Sequence, residues 1–282
     1  MRSWKNWLER LRIKLCGLSA AEKDRLRARL AARPYYQWFD AIYDEAHRAG
    51  AQTLFDPPIY QLIHQSLSRF LERSAVPRPG GTVIDFGCGE GANAIYLAKL
   101  GYRVTAVDIS PIAIARARAL AALEGVAIDF RLGDVVRLDD IADRVFDLGI
   151  NVGTLHMLVK DEHRRQHVAE MGRVLRPGGV LFAFNNLARK DVRITDVDQY
   201  LYNCMARTEA RCVLVDGSRR EIVFQGVGFR SASLPQYRAL FESAGFEVLE
   251  TEVRQVTGGF WDRWRPGWRA SRRFLALECR KL

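Results

Sequence analysis

The chain has 282 residues, 48% of them hydrophobic, which suits one large α/β domain with an appended segment better than two full domains. Its formal net charge of +10 is spread over both ends and most helical stretches, so no single basic stripe marks a nucleic-acid surface and no nucleic-acid partner is expected. The five cysteines, Cys16, Cys88, Cys204, Cys212 and Cys279, are scattered and contain no Cys-x-x-Cys pair, which argues against a disulfide framework or a zinc site and fits a reducing cytoplasm.

From the N-terminus, Trp4, Trp7, Leu8, Leu11 and Leu15 fall on one face at helical spacing, with basic residues largely around it. Such a helix packs on its own domain or on a partner subunit, leaving a homo-oligomer through the N-terminal helices open; a membrane surface is the alternative. Gly17 would end it, and Ser19 with Glu22 makes a capping box for the next helix. Tyr35, Tyr36, Trp38, Phe39 and Tyr43 form an aromatic cluster whose spacing fits core packing and equally a cation–π border to a bound cation. Asp56-Pro57-Pro58 marks a turn, residues 59–72 a helix, and residues 75–81, with two prolines and two glycines, a linker. Residues 1–75 are therefore expected to be a helical accessory segment and residues 76–282 the main domain. No apolar run approaches the ~18 residues of a membrane span, and the start lacks the apolar stretch of a signal peptide.

Residues 83–91, Val-Ile-Asp-Phe-Gly-Cys-Gly-Glu-Gly, then join a β-branched strand to an apolar helical pattern over 92–100. This is the strand, tight turn and helix start of a Rossmann-type nucleotide site. Gly87, Gly89 and Gly91 let a ligand approach the backbone closely. The loop alone fits a dinucleotide enzyme as well. Asp85 decides between them: a carboxylate at the strand end would repel a pyrophosphate and attract the ammonium and sulfonium of S-adenosylmethionine.

The next strand, 102–107, ends in Asp108, placed to accept both ribose hydroxyls, with Ile109 beside it. Ser110 and Pro111 start a helix as N-cap and first residue. Further strands are predicted at 128–132, running into Gly133-Asp134, and at 146–151. Leu-Arg-Pro-Gly-Gly at 175–179 is a turn before a strand at 180–184. An insertion at about 186–233 carries alternating segments at 211–216 and 219–225 around Asp216-Gly217, a β-hairpin. A helix at 234–244, a strand at 246–253 and a last strand at 274–279 close the chain, the final loop interleaving Trp261, Trp264 and Trp268 with arginines.

The glycine loop, Asp108, Gly133-Asp134 and the Leu-Arg-Pro-Gly-Gly turn together resemble the class I S-adenosylmethionine-dependent methyltransferases, small-molecule branch, over residues 80–255. The resemblance implies a Rossmann-like doubly wound sheet of about seven strands with the last antiparallel. It also implies S-adenosyl-L-methionine as cofactor and a small-molecule substrate. Asp134 matches the family position that accepts from the adenine amino group, with Val135 beside it. Asp85, Gly87, Cys88, Gly89, Gly91, Asp108, Ile109, Asp134, Val135 and Asn151 are the expected cofactor-binding residues, with Cys88 taken as a small packing residue.

Asn-Val-Gly-Thr at 151–154 departs from the Asn/Asp/Ser-Pro-Pro-Tyr/Phe signature of enzymes that methylate planar nitrogens. The following Leu155-His156 pair instead resembles the small-molecule branch. His156 is the candidate general base, or else a loop brace. Tyr36 and Tyr43 are the other catalytic candidates, one of them expected to border the cofactor. Asn185, after the fifth strand, is the candidate substrate contact. His163 and His167, in a charged helical stretch, are expected to be solvated. No metal is implied. Alternatives left open are a methyltransferase-like lyase or cyclase releasing methylthioadenosine, an RNA methyltransferase and a non-catalytic cofactor-binding module.

Overall fold

The computed structural model describes residues 19–21, 23–25, 28, 35–48, 50–53, 57–73, 75–205, 208–214, 219–224, 228–256 and 272–282. The expected amphipathic helix with Trp4 and Trp7, the Glu22 half of the capping box, the Asp216-Gly217 turn and the tryptophan–arginine loop lie outside them. Chain contacts divide the protein into two compact units, residues 1–55 with 194–229, and residues 56–193 with 230–282. The N-terminal segment and the larger part of the insertion thus share one unit, while the helix expected at 59–72 belongs to the other.

In the first unit a 3-10 turn, Tyr35–Trp38, leads into α1, Phe39–Arg48, which buries Ile42, Tyr43 and Ala46. A short strand, β1 (Ala51–Thr53), was not foreseen.

The second unit is built on a mostly parallel sheet. α2 (Pro57–Leu71) buries Ile63, Leu67 and Phe70 at helical spacing, and the Phe70 ring lies 5.3 Å from that of Phe182. β2 (Thr82–Phe86) is followed by α3 (Ala92–Lys99), β3 (Arg103–Asp108), α4 (Pro111–Leu123) and β4 (Asp129–Leu132). The Ser110 hydroxyl accepts from the Ala113 N–H at 3.1 Å with Pro111 opening the helix, as its residue types predict. β5 (Phe146–Val152) runs into a 3-10 turn, Leu155–Met157, and then α5 (Asp161–Val174) and β6 (Leu175–Asn186).

The insertion follows in the first unit: α6 (Val197–Met205) and the hairpin β7 (Thr208–Leu214) and β8 (Arg219–Phe224). The hairpin pairs antiparallel with Thr208 opposite Phe224, and β1 adds to β7 as a third strand. Back in the second unit come α7 (Leu234–Ser243), β9 (Phe246–Val256) and β10 (Arg272–Lys281).

The seven-stranded sheet runs β4-β3-β2-β5-β6-β10-β9. β2 through β6 pair in parallel, and β10 is antiparallel to both neighbours. The Leu175–Gly179 stretch, expected as a turn, is continuous with β6 but bulged: Phe146 pairs with Leu175, and Leu148 already with Val180. Gly178, at φ 78°, takes up the extra residues. Two apolar layers cover the sheet. One joins Leu67, Phe70, Leu97 and Ala117; the other joins Val168, Met171, Tyr237 and Phe241. Burial on both faces explains the apolar runs Val83-Ile84 in β2 and Val180–Phe184 in β6. Strand order reverses between β2 and β5, and ligands of open α/β sheets bind at the carboxyl ends beside such a switch point.

Candidate active site

The carboxyl end of β2 turns at Gly87, whose φ of 73° is open to few residues but glycine. A Cβ there would overlap the Thr154 side chain. Thr154 follows β5 across the switch point, and its hydroxyl donates to the Phe86 carbonyl at 2.7 Å. Sequence alone gave no sign of this brace. The loop is also tied to β3: the Gly87 and Cys88 N–H groups both donate to the Val107 carbonyl, at 2.8 and 2.9 Å.

Asp85 is 1% exposed, and its Oδ2 has no hydrogen-bond partner. Burial, followed by the charge of Asp108, pushes its carboxyl up to about 8, against a hydrogen bond from the Ala94 N–H at the start of α3. A buried acceptor without a donor is costly. A cationic N–H donor brought by a ligand would both pair it and ionise it, which fits the ammonium of S-adenosylmethionine. Asn93, in the first turn of α3, has a second buried acceptor without a partner, Oδ1, which the sequence did not single out.

Asp108, 8% exposed, accepts the Gly89 N–H at 2.7 Å and the Ser110 N–H at 2.9 Å, which fixes its carboxylate at the strand tip. Ile109 beside it is half-buried. Cys88 is buried, and burial raises its thiol well above the ordinary value, so it packs as a neutral side chain. Asp134 caps its own turn by accepting the Val136 N–H at 3.0 Å, and Val135 is buried.

On the other side of the switch point, Asn151 is fully buried at the end of β5. Its amide nitrogen lies 2.9 Å from Nε2 of His167, whose Nδ1 lies 3.0 Å from the Val135 carbonyl. His167 is therefore not solvated as expected; it is 0% exposed. The signal was present in the sequence, because the stripe Val168, Met171, Val174 carries positions 164 and 167 onto the inner face of α5. The density of charge along that helix hid it.

His156 and Asn185 come together. Nδ1 of His156 is 3.3 Å from the Asn185 side-chain oxygen and 3.4 Å from the Asn186 backbone nitrogen. Burial pulls the imidazole down to about 4; the Asn185 contact opposes this, and the Arg164 charge adds to it. Asn185 is fully buried with Nδ2 unpartnered. Two buried arginines hold the loop around His156. Arg164 donates to the Leu155 carbonyl at 3.1 Å, and Arg230 donates to the Val159 carbonyl at 3.1 Å and to Asp161 at 2.6 Å. Tyr36 and Tyr43 are buried in the first unit, apart from this group in the chain's division. Among the described residues no group of three His, Cys, Asp or Glu side chains could hold a metal ion, and no helix is long and apolar enough to cross a membrane.

Residues 83–179 match the family model described as a methyltransferase domain. An uncharacterized methyltransferase of Schizosaccharomyces pombe is 33% identical over 100 residues, 36% of this chain and 68% of that protein. A ubiquinone biosynthesis O-methyltransferase of Nitrosococcus oceani is 37% identical over 112 residues, covering 39% of this chain and 45% of the relative. Over such relatives the alignable length is commonly about half of the curated protein, as in the 45% and 60% covered in two of them. Among solved structures, a SAM-dependent methyltransferase from Methanosarcina mazei superposes with a TM-score of 0.54 at 18% identity, over 73% of this chain and 94% of that one. At that identity the likeness is one of fold.

Proposed function

The chain belongs to the class I S-adenosylmethionine-dependent methyltransferases, and from that premise we propose that it methylates an O, N or S atom of a small metabolite. When bound, S-adenosylmethionine supplies a methyl group already activated by its positive sulfur. The chain's own residues then have to align, exclude water and manage one proton. In this proposal Asp85 takes the ammonium end, Asp108 the ribose, and Asp134 with Val135 the adenine, while the Gly87, Cys88, Gly89 and Gly91 N–H groups already donate within the protein and do not serve the ligand's carboxylate. The observation that carries the acceptor side is the Nδ2 of Asn185, a buried donor without a partner next to His156. A hydrogen-bond acceptor on the substrate would complete it, and the neutral imidazole of His156 is unprotonated at neutral pH and free of charge repulsion. The name of the Nitrosococcus relative, an O-methyltransferase of a small molecule, supports the same substrate class.

Product analysis tests this. Incubated with S-adenosylmethionine and a panel of hydroxyl, amine and thiol metabolites, the protein should release S-adenosylhomocysteine only when an acceptor is present. Methylthioadenosine formed from protein and cofactor alone would replace methyl transfer by lyase chemistry.

A further inference from the structure

His167 is not itself one of the proposed cofactor contacts, but it touches three segments of that site. Its Nδ1 lies 3.0 Å from the Val135 carbonyl after β4, its Nε2 lies 2.9 Å from the Asn151 amide at the end of β5, and its ring packs edge-on against Phe86 at 5.9 Å, just before the glycine loop. The carbonyl can only accept, so Nδ1 carries the proton. A neutral imidazole has one N–H, so Nε2 must accept, and the Asn151 Nδ2 donates to it. The Leu155 N–H pointing at the Asn151 side-chain oxygen, at 3.4 Å, agrees with that orientation of the amide. One fixed tautomer thereby ties the turn beside Asp134 to the strand end beside the reacting groups.

We propose that His167 is a positioning residue for adenine recognition, acting through the Val135 carbonyl and the Asn151 amide rather than by contact with the ligand. The proposal rests on the assignment of Asp134 and Val135 to the adenine. A residue that held only the core would weaken every ligand alike. One that sets the 134–136 turn should act selectively on the base, because the amino group of adenine is what that turn would read.

The test compares S-adenosylhomocysteine with its hypoxanthine analogue, S-inosylhomocysteine, on the full chain by calorimetric titration. His167→Leu should weaken the adenine ligand about tenfold or more, the usual consequence of losing buried hydrogen bonds, and change the hypoxanthine ligand by less than about threefold. His167→Gln, whose amide offers one donor and one acceptor, should restore the adenine ligand to within about threefold. An unchanged base preference in His167→Leu would overturn the proposal. If the wild-type protein itself shows no preference between the bases, the adenine assignment fails instead. Nitrogen-15 NMR of the wild-type imidazole needs no variant: Nδ1 should report as protonated and Nε2 as not. A proton on Nε2 would overturn the tautomer and the proposal with it.

Discussion

Asp85 and Asp108 end neighbouring parallel strands, and the buried charge of Asp108 acts directly on the Asp85 carboxyl. The two differ in how they are held. Asp108 accepts two backbone N–H groups, from Gly89 and Ser110, while Asp85 keeps one oxygen without any partner. Like charges in low dielectric push one of a pair toward its neutral form, and the pair member with fewer donors is the one that yields. Asp108 is thus held in place by the backbone, and Asp85 is held in reserve for a cation.

The first prediction follows from that reserve. With its carboxyl at about 8, free Asp85 is protonated at pH 6.5, and a bound ammonium would need it ionised. Binding of S-adenosylmethionine should then release close to one proton at that pH, where the ligand's α-amino group, of pKa about 7.7–8.0, is still charged. Calorimetry in two buffers of different ionisation enthalpy measures this number directly. A value near zero would mean that Asp85 does not ionise on binding.

The same shift works against the unliganded fold. Asp85 ionises at 3.8 in its ordinary state and at about 8 here, so the folded protein holds an extra proton between those values. Stability from this group is greatest at the acid end of the window and falls as pH rises through it. Asp85→Asn should accordingly raise Tm more at pH 8.5 than at pH 5, and at both pH values abolish cofactor affinity. An equal or lower Tm at pH 8.5 would contradict the buried, unpaired carboxylate.

Much of this site was legible in the sequence because its chemistry is local. A β-branched run, three glycines and an acid at each strand tip follow from backbone geometry within a few residues. What escaped was long-range. Thr154 braces the glycine loop from 67 residues away, and His167 meets Asn151 across 16. Neither residue type carries a signal for such a partner. The pairing of β1 with β7 escaped for the same reason, since two segments far apart in the chain have to find one edge. The bulge in β6 escaped for a subtler one: Pro177-Gly178-Gly179 has turn chemistry, and the strand simply continues through it.

Asp108→Ala should weaken binding of S-adenosylhomocysteine by ~1–3 kcal/mol through loss of the ribose acceptor. It should also cost stability, because the Gly89 and Ser110 N–H groups lose their partner. Asp108→Asn keeps one acceptor oxygen and should recover part of the stability with little of the affinity. Unchanged affinity in both variants would remove Asp108 from the site.

Gly87→Ala places a methyl group on the Thr154 side chain at a positive φ. Activity should be lost, with destabilisation of about 1–3 kcal/mol from overpacking and backbone strain. Adding Thr154→Ala removes the hydroxyl and methyl overlaps but keeps a Cβ 2.9 Å from the new methyl and leaves the backbone strain, so the double variant should recover stability only in part. Full recovery would show that the hydroxyl-to-Phe86 bond and the left-handed backbone contribute nothing. Thr154→Val alone should cost about 1 kcal/mol, the usual net value of one hydrogen bond.

The last prediction concerns His156 and pH. Burial holds its imidazole at about 4, so its protonation, and any loss of a catalytic base with it, should fall near pH 4 rather than at the ordinary 6.5. With both substrates saturating, kcat should be flat between about pH 6 and 7.5, since an unshifted histidine of pKa about 6.5 would bend the profile there. KM for S-adenosylmethionine, in contrast, should fall as pH rises toward about 8, because Asp85 becomes ionised without having to lose its proton on binding. His156→Ala should lower kcat by about 10²-fold or more, within the range for general-base catalysis, and leave cofactor affinity nearly unchanged. An acid limb in kcat near 6.5 that disappears in His156→Ala would reverse the effect assigned to the desolvation of that half-buried imidazole. A full kcat in His156→Ala would leave His156 as a loop brace, with Asn185 alone facing the acceptor.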